Sequence, residues 1–88
     1  LCSVPPFRDF LGCGITTQLT NRVAYLDEVI AENDEDFPNA GLKAASLIRT
    51  AFLALLPQSR FQGRIGFVSQ ERHRRRLSAL ATFLREAA

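Results

Sequence analysis

Apolar and polar positions divide this chain into several strand-forming stretches followed by one helix. Leu1-Cys2-Ser3-Val4 reads as a strand end, stopped by Pro5-Pro6, which cannot donate to a ladder. Phe10 to Leu19 reads as a second strand, with Gly12 and Gly14 where a bulge or a close backbone approach would use them. A turn is expected at Thr20-Asn21-Arg22, and the imperfect alternation of Tyr25 to Ile30 suits a short edge strand. Residues 32–41 combine the charged run Glu32-Asn33-Asp34-Glu35-Asp36 with Pro38-Asn39-Ala40-Gly41 and are expected to form a loop.

Beyond that loop, Ser46 to Thr50 and Phe52 to Leu56 are apolar runs bounded by Pro57. Their Ala and Leu content makes a helix over residues 42–56 a rival to strands, and periodicity leaves both open. Arg64 to Val68 is a further short-strand candidate. Ser69 is a good N-cap with Glu71 in the first turn behind it, and Leu77, Leu80, Ala81 and Leu84 recur at helical spacing. An amphipathic helix over Gln70–Glu86 follows, with Arg72, Arg74, Arg75 and Arg85 on its other faces.

Composition narrows the class. A chain of 88 residues, 47% hydrophobic and 23% charged, suits one globular domain over residues 1–88. The uncharged stretch Thr50 to Ser59 is far short of a bilayer span, and no basic-then-apolar leader opens the sequence, so a cytoplasmic location is expected. Cys2 and Cys13 lie in apolar surroundings without metal-ligand spacing and read as reduced core residues. The absence of Met and the bulky Leu1 suggest a longer polypeptide, truncated at its N-terminus. Residues 1–44 carry three Lys/Arg against seven Asp/Glu, whereas residues 45–88 carry eight Arg against two acids. A basic half of this kind invites a polyanion.

Four features compete for chemistry. Thr16-Thr17-Gln18 brings hydroxyls and an amide to a strand end, although threonine also simply suits a pleated surface. Arg72-His73-Arg74-Arg75-Arg76 resembles a nucleic-acid patch, yet on a helix these side chains spread around the axis and are expected to be solvated. His73 falls beside the apolar stripe and reads as a boundary residue rather than a general base. The run Glu32 to Asp36 lacks the ligand spacing of a calcium loop and reads as solvated.

The ordered blocks Gly12-x-Gly14-Ile15-Thr16-Thr17-Gln18-Leu19, Gly41-Leu42, Ser46-Leu47-Ile48-Arg49, Leu56-Pro57-x-Ser59-Arg60, Gly63-Arg64-Ile65-Gly66 and Ser69-x-Glu71-Arg72 resemble the MazF/PemK family of toxin endoribonucleases. The resemblance implies a mainly β fold, a small SH3-like barrel with a C-terminal helix, and it favours strands over a helix for residues 42–56. It further implies a homodimer that cleaves single-stranded mRNA by 2′-hydroxyl attack without metal or cofactor, neutralised by an antitoxin protein. In such proteins the first hydroxyl of the strand-end pair contacts the scissile phosphate, so Thr16 is the catalytic candidate and Thr17 and Gln18 are RNA-binding candidates. The family's catalytic arginine, in an Arg-Pro pair, is expected upstream of Leu1. Two alternatives remain. One is a catalytically inactive barrel binding a protein or nucleic acid, as CcdB-like toxins grip a topoisomerase, and the other is a basic DNA-binding helix at residues 70–86.

Overall fold

A computed structural model describes residues 1–6, 8–20, 22–61 and 63–87. Four antiparallel strands, β1 (Cys2–Val4), β2 (Asp9–Thr16), β3 (Glu28–Ile30) and β4 (Ser46–Pro57), form one sheet in the order β1-β2-β4-β3. The sheet curls into a half-barrel, and the long helix α2 (Gln70–Ala87) packs against β4. The protein is therefore mainly β with a C-terminal helix. No helix among the described residues is long and apolar enough to cross a membrane.

Residues 46–57 form one continuous strand, which decides between the two readings of that stretch. Its β-branched Ile48 and Thr50 suit a pleated surface, and Pro57 ends it by withholding an N–H. Ser46, Ile48 and Thr50 lie on one face and are buried. Ile48 meets Ile30 and Ala40 in the core, with Cys13, Phe37, Leu42 and Val68 packed around them. The curl has a local cause. Cys13 pairs with Leu53 but the next residue, Gly14, pairs with Arg49, so Thr50, Ala51 and Phe52 are extra residues on β4. Such an excess bends the longer strand and increases its twist.

Several elements differ from their sequence expectation. The edge strand predicted over Tyr25–Ile30 contracts to Glu28–Ile30, because the amides of Leu26 and Asp27 both donate to the carbonyl of Val23 in a tight turn. The turn predicted at Thr20-Asn21-Arg22 includes Asn21, which lies outside the described residues. Within the predicted loop 32–41, Phe37–Ala40 forms a single helical turn, α1, closed by Gly41 in the left-handed region at φ 72°.

Arg64 to Val68 does not join the sheet. It runs against the end of α1, where the Phe67 amide donates to the Asn39 carbonyl at 2.8 Å. Two glycines permit this approach: a Cβ on Gly66 would stand 2.2 Å from the Asn39 oxygen, and one on Gly41 would stand 2.0 Å from the Ile65 oxygen. Both distances are prohibitive for any side chain.

Helix α2 begins as predicted, with Ser69 Oγ accepting the Arg72 amide at 3.1 Å. Its buried face is a different one from the predicted stripe. Arg72, Arg76 and Leu80 are buried at four-residue intervals, whereas Leu77 is half-buried and Ala81 and Leu84 are exposed. The guanidinium of Arg72 is inserted among the acids of the preceding loop. Its Nε and one terminal nitrogen grip Asp36 at 2.8 and 3.0 Å, the same terminal nitrogen reaches Asp34 at 2.9 Å, and the other meets Glu28 at 2.6 Å and the Val29 carbonyl at 3.2 Å. Arg75 holds both oxygens of Glu28 at 3.0 Å, and Arg76 lies 3.2 Å from the same carboxylate. The arginine run and the acidic run, each read as solvated from sequence, thus meet through Arg72, Asp34 and Asp36, while Arg75 and Arg76 pair with Glu28 and Arg74, Glu32 and Glu35 remain exposed.

The pairing shifts titration. Hydrogen bonds from Arg72 hold the Asp36 carboxyl far below the usual carboxylate range, against the opposing effect of burial. For Glu28, burial pushes upward but is outweighed by the Arg75 hydrogen bonds and the charges of Arg76, Arg75 and Arg72, so its pKa is lowered. Groups held ionised in the folded state bind fewer protons than in the unfolded chain. Their stabilisation is complete above the ordinary carboxylate range and is lost as pH falls toward the folded pKa.

Thermal melts will therefore show stability flat above about pH 5 and falling steeply below about pH 4. Asp36→Asn will flatten that acid limb, and Arg72→Ala, which strands the carboxylates, will cost about 3–5 kcal/mol near pH 7. In the same assay Gly41→Ala will lower stability by more than the ~1–2 kcal/mol of a left-handed side chain, because it also meets the Ile65 carbonyl. Gly12→Ala, whose Cβ would meet nothing within 4 Å, will leave the melting temperature unchanged or raise it.

Candidate functional site

Strand β2 leads to the sequence-predicted residues. Thr16 is its last residue, opposite Leu47 of β4, and is half-buried at the sheet rim. Thr17 and Gln18 lie beyond the strand and are exposed. The alternation that would have put Thr16 and Gln18 on one strand face ends here. What meets Thr16 Oγ1 is the backbone amide of Gln18, at 3.1 Å, rather than the Gln18 side chain. This hydroxyl-closed turn directs the chain away from the sheet. A hydroxyl has two lone pairs and one proton, so accepting this bond leaves its O–H free to donate.

The face carrying Thr16 continues down β2. Phe10, Gly12, Gly14 and Thr16 alternate with residues of the opposite face, where Cys13 packs on the core. Gly14 lies beneath Phe52, with the ring carbon Cδ1 2.8 Å from where a Cβ would sit. The Arg49 guanidinium is 4.8 Å from the Phe52 ring centroid, within cation–π range. Next comes Gly12, with an open floor above it. Beyond Gly12, Phe10 and Phe61 meet edge to face at 5.4 Å. They line an open cleft of ≈ 510 Å³ shared with Gln58, Arg64 and Ile65.

Sequence reasoning placed Thr16 and missed this arrangement. Its trace was present in Arg49 three residues from Phe52, and in Phe61 three residues from Arg64. Those residues read as strand and loop because nothing in their spacing shows that β2 is bare of side chains between them.

Other candidates resolve into structural roles. His73 Nε2 lies 2.7 Å from the Leu1 carbonyl on an exposed surface. Burial pushes the Cys13 thiol upward, which suits an inert residue packed on the core, whereas Cys2, expected in the core, is exposed on the edge strand β1. Among the described residues no group of three or more His, Cys, Asp and Glu side chains is arranged to hold a metal ion. Glu28, Asp34 and Asp36 are instead occupied by guanidinium groups.

No family model matches the chain, and neither a curated protein nor a solved structure matches it.

The turn at Thr16 can be checked by amide exchange. Thr16→Val will speed exchange at the Gln18 amide severalfold, whereas Thr16→Ser, which retains the acceptor, will leave it protected.

Proposed function

We propose that this chain forms the substrate-binding wall of a metal-independent endoribonuclease resembling the MazF/PemK toxins, acting on single-stranded mRNA and restrained by an antitoxin protein. The observation that carries the reading is the Thr16 hydroxyl, held at the rim of β2 with its oxygen fixed by the Gln18 amide and its proton free. The mainly β half-barrel with a C-terminal helix supports it, as a piece of an SH3-like barrel that acts as a homodimer.

In this reaction the ribose 2′-oxygen bonds to the adjacent phosphorus and the bond from phosphorus to the 5′-oxygen breaks. The 2′-hydroxyl proton is lost and the leaving oxygen gains one, giving a 2′,3′-cyclic phosphate and a 5′-hydroxyl. Negative charge grows on the non-bridging oxygens of the five-coordinate intermediate. Thr16 donates to one of them, and a donor fixed before the reaction loses nothing to reorganisation. Thr17 and Gln18, exposed just beyond, contact a neighbouring nucleotide.

A second reading, a binding module without nuclease activity, has its own observation. β3 pairs only with Ser46–Ile48 of β4, and the rest of β4 carries exposed Phe52, Leu53, Leu55 and Leu56. An apolar edge of this kind is a template for a partner strand.

Thr16→Val separates the two readings, measured on a fluorophore-quencher RNA. The nuclease reading expects kcat to fall about 10²–10³-fold, the cost of losing one oxyanion-type donor. Cleavage at the wild-type rate would refute the assignment of Thr16.

A further inference from the structure

We propose that the face of β2 from Thr16 to the Phe10–Phe61 cleft is a track for single-stranded nucleic acid, with Arg49–Phe52 and Phe61 stacking bases and Arg64 holding a phosphate. The proposal deepens the nuclease reading and rests on it for the choice of RNA as the substrate strand.

The floor is the first reason. Between the Thr16 hydroxyl and Phe10 the only β2 residues on this face are Gly12 and Gly14. From Phe10 to Thr16 this face runs about 20 Å at ~3.3 Å per residue, room for a few extended nucleotides that cross bare backbone at one glycine and an aromatic ring at the other. Gly14 is filled by Phe52, and Gly12 is bare.

The walls are the second reason. Arg49 stacked on Phe52 offers a guanidinium plane to a base, and Phe52 itself is 59% exposed. At the far end Phe61, 49% exposed, is braced by a T-shaped contact with Phe10 and so is held as a platform. Arg64 lines the same cleft, and Gln58 supplies an amide for a base edge. Cations interleaved with exposed aromatic rings are the equipment of single-strand binding, since each unpaired base has a face to stack while a duplex hides its own.

The charge distribution agrees. Glu28, Asp34 and Asp36 are tied to the arginines of α2, the Asp27 carboxylate accepts the Val23 amide, and Asp9 alternates onto the opposite face of β2. The basic side chains of the track face no carboxylate from β2.

The test uses the 88-residue chain and a fluorescein-labelled decanucleotide with 2′-O-methyl riboses, which cannot be cleaved, followed by fluorescence anisotropy. Wild-type binding should weaken with salt. Gly12→Val, which places a side chain in open space and suits a strand, should keep the melting temperature and lower affinity at least tenfold. Arg64→Gln and Arg49→Gln should each weaken binding three- to tenfold and flatten the salt dependence by about one counterion. Phe61→Leu should weaken it fivefold or more. A folded Gly12→Val chain that binds as wild type overturns the proposal. So does a duplex of the same sequence binding as tightly as the single strand, or a chain that ignores the oligonucleotide and self-associates through Phe52, which would make the face a protein interface. The outcomes separate from those for the nuclease reading. If Thr16→Val abolishes cleavage while Gly12→Val and Arg64→Gln leave KM unchanged, the track falls and the nuclease stands. If the track variants lose binding while Thr16→Val still cleaves, the track stands and the catalytic assignment falls.

Discussion

The guanidinium of Arg72 organises this small protein. A guanidinium has five N–H donors, and here all of them are used, on three carboxylates and one backbone carbonyl. Those partners come from β3, from the loop behind it and from Asp36, the residue before α1, so one side chain ties together elements far apart in sequence. The core it supplements is modest, built around Ile30, Ala40 and Ile48. In a chain of this size such a core contributes little beyond the conformational entropy it must offset. A paired and fully hydrogen-bonded charge is therefore not incidental to the fold. It fixes where α2 sits and how it is rotated about its axis, which an apolar stripe alone does less strictly.

One helical turn further on, Arg76 carries the same logic to the sheet. One of its terminal nitrogens donates to the Leu26 carbonyl and to the Thr50 hydroxyl at 3.1 Å. Thr50 is the first of the three extra residues that bend β4. Phe52, the last of them, stacks between Gly14 and Arg49 on the other side of the sheet. The curvature of the half-barrel, the docking of the helix and the aromatic platform near Thr16 thus converge on a single kink. The face proposed to hold a nucleic-acid strand is shaped by the same seven residues, 46–52, that anchor β4 to its neighbours.

What could be read in the sequence was what is local. The strand through Thr16, the N-cap at Ser69 and the helix after it depend on propensities and contacts within a few residues, and they are found there, although β2 ends at Thr16 rather than at Leu19 because the Thr16 hydroxyl turns the chain at the Gln18 amide. The twelve-residue β4 was ambiguous for the same reason: Ala-Leu-rich segments satisfy both periodicities until a neighbour chooses. The failures were all long-range. Asp36 and Arg72 are 36 residues apart, so each run looked solvated when taken alone. Leu84 continues the apolar stripe of α2 but is left exposed, because burial on that helix follows Arg72, Arg76 and Leu80 instead. Arg64 to Val68 has the Ile, Phe and Val of a short strand, yet Gly66 lets it dock on the end of α1 rather than the sheet. At the candidate site, the position of Thr16 followed from strand patterning and resemblance. The aromatic and cationic groups that share its face came from β4 and a loop, whose registration against β2 no single-chain pattern encodes.

Replacing greasy contacts by a saturated ion cluster also constrains how such a chain can drift over generations. An apolar helix face tolerates stepwise exchange of one aliphatic residue for another, since volume is the main requirement. A guanidinium with four of its five donors on carboxylates has no such neutral intermediate: losing either partner strands the other. Positions 28, 34, 36 and 72 should consequently covary as a block among any descendants of this sequence, changing together to apolar residues or not at all.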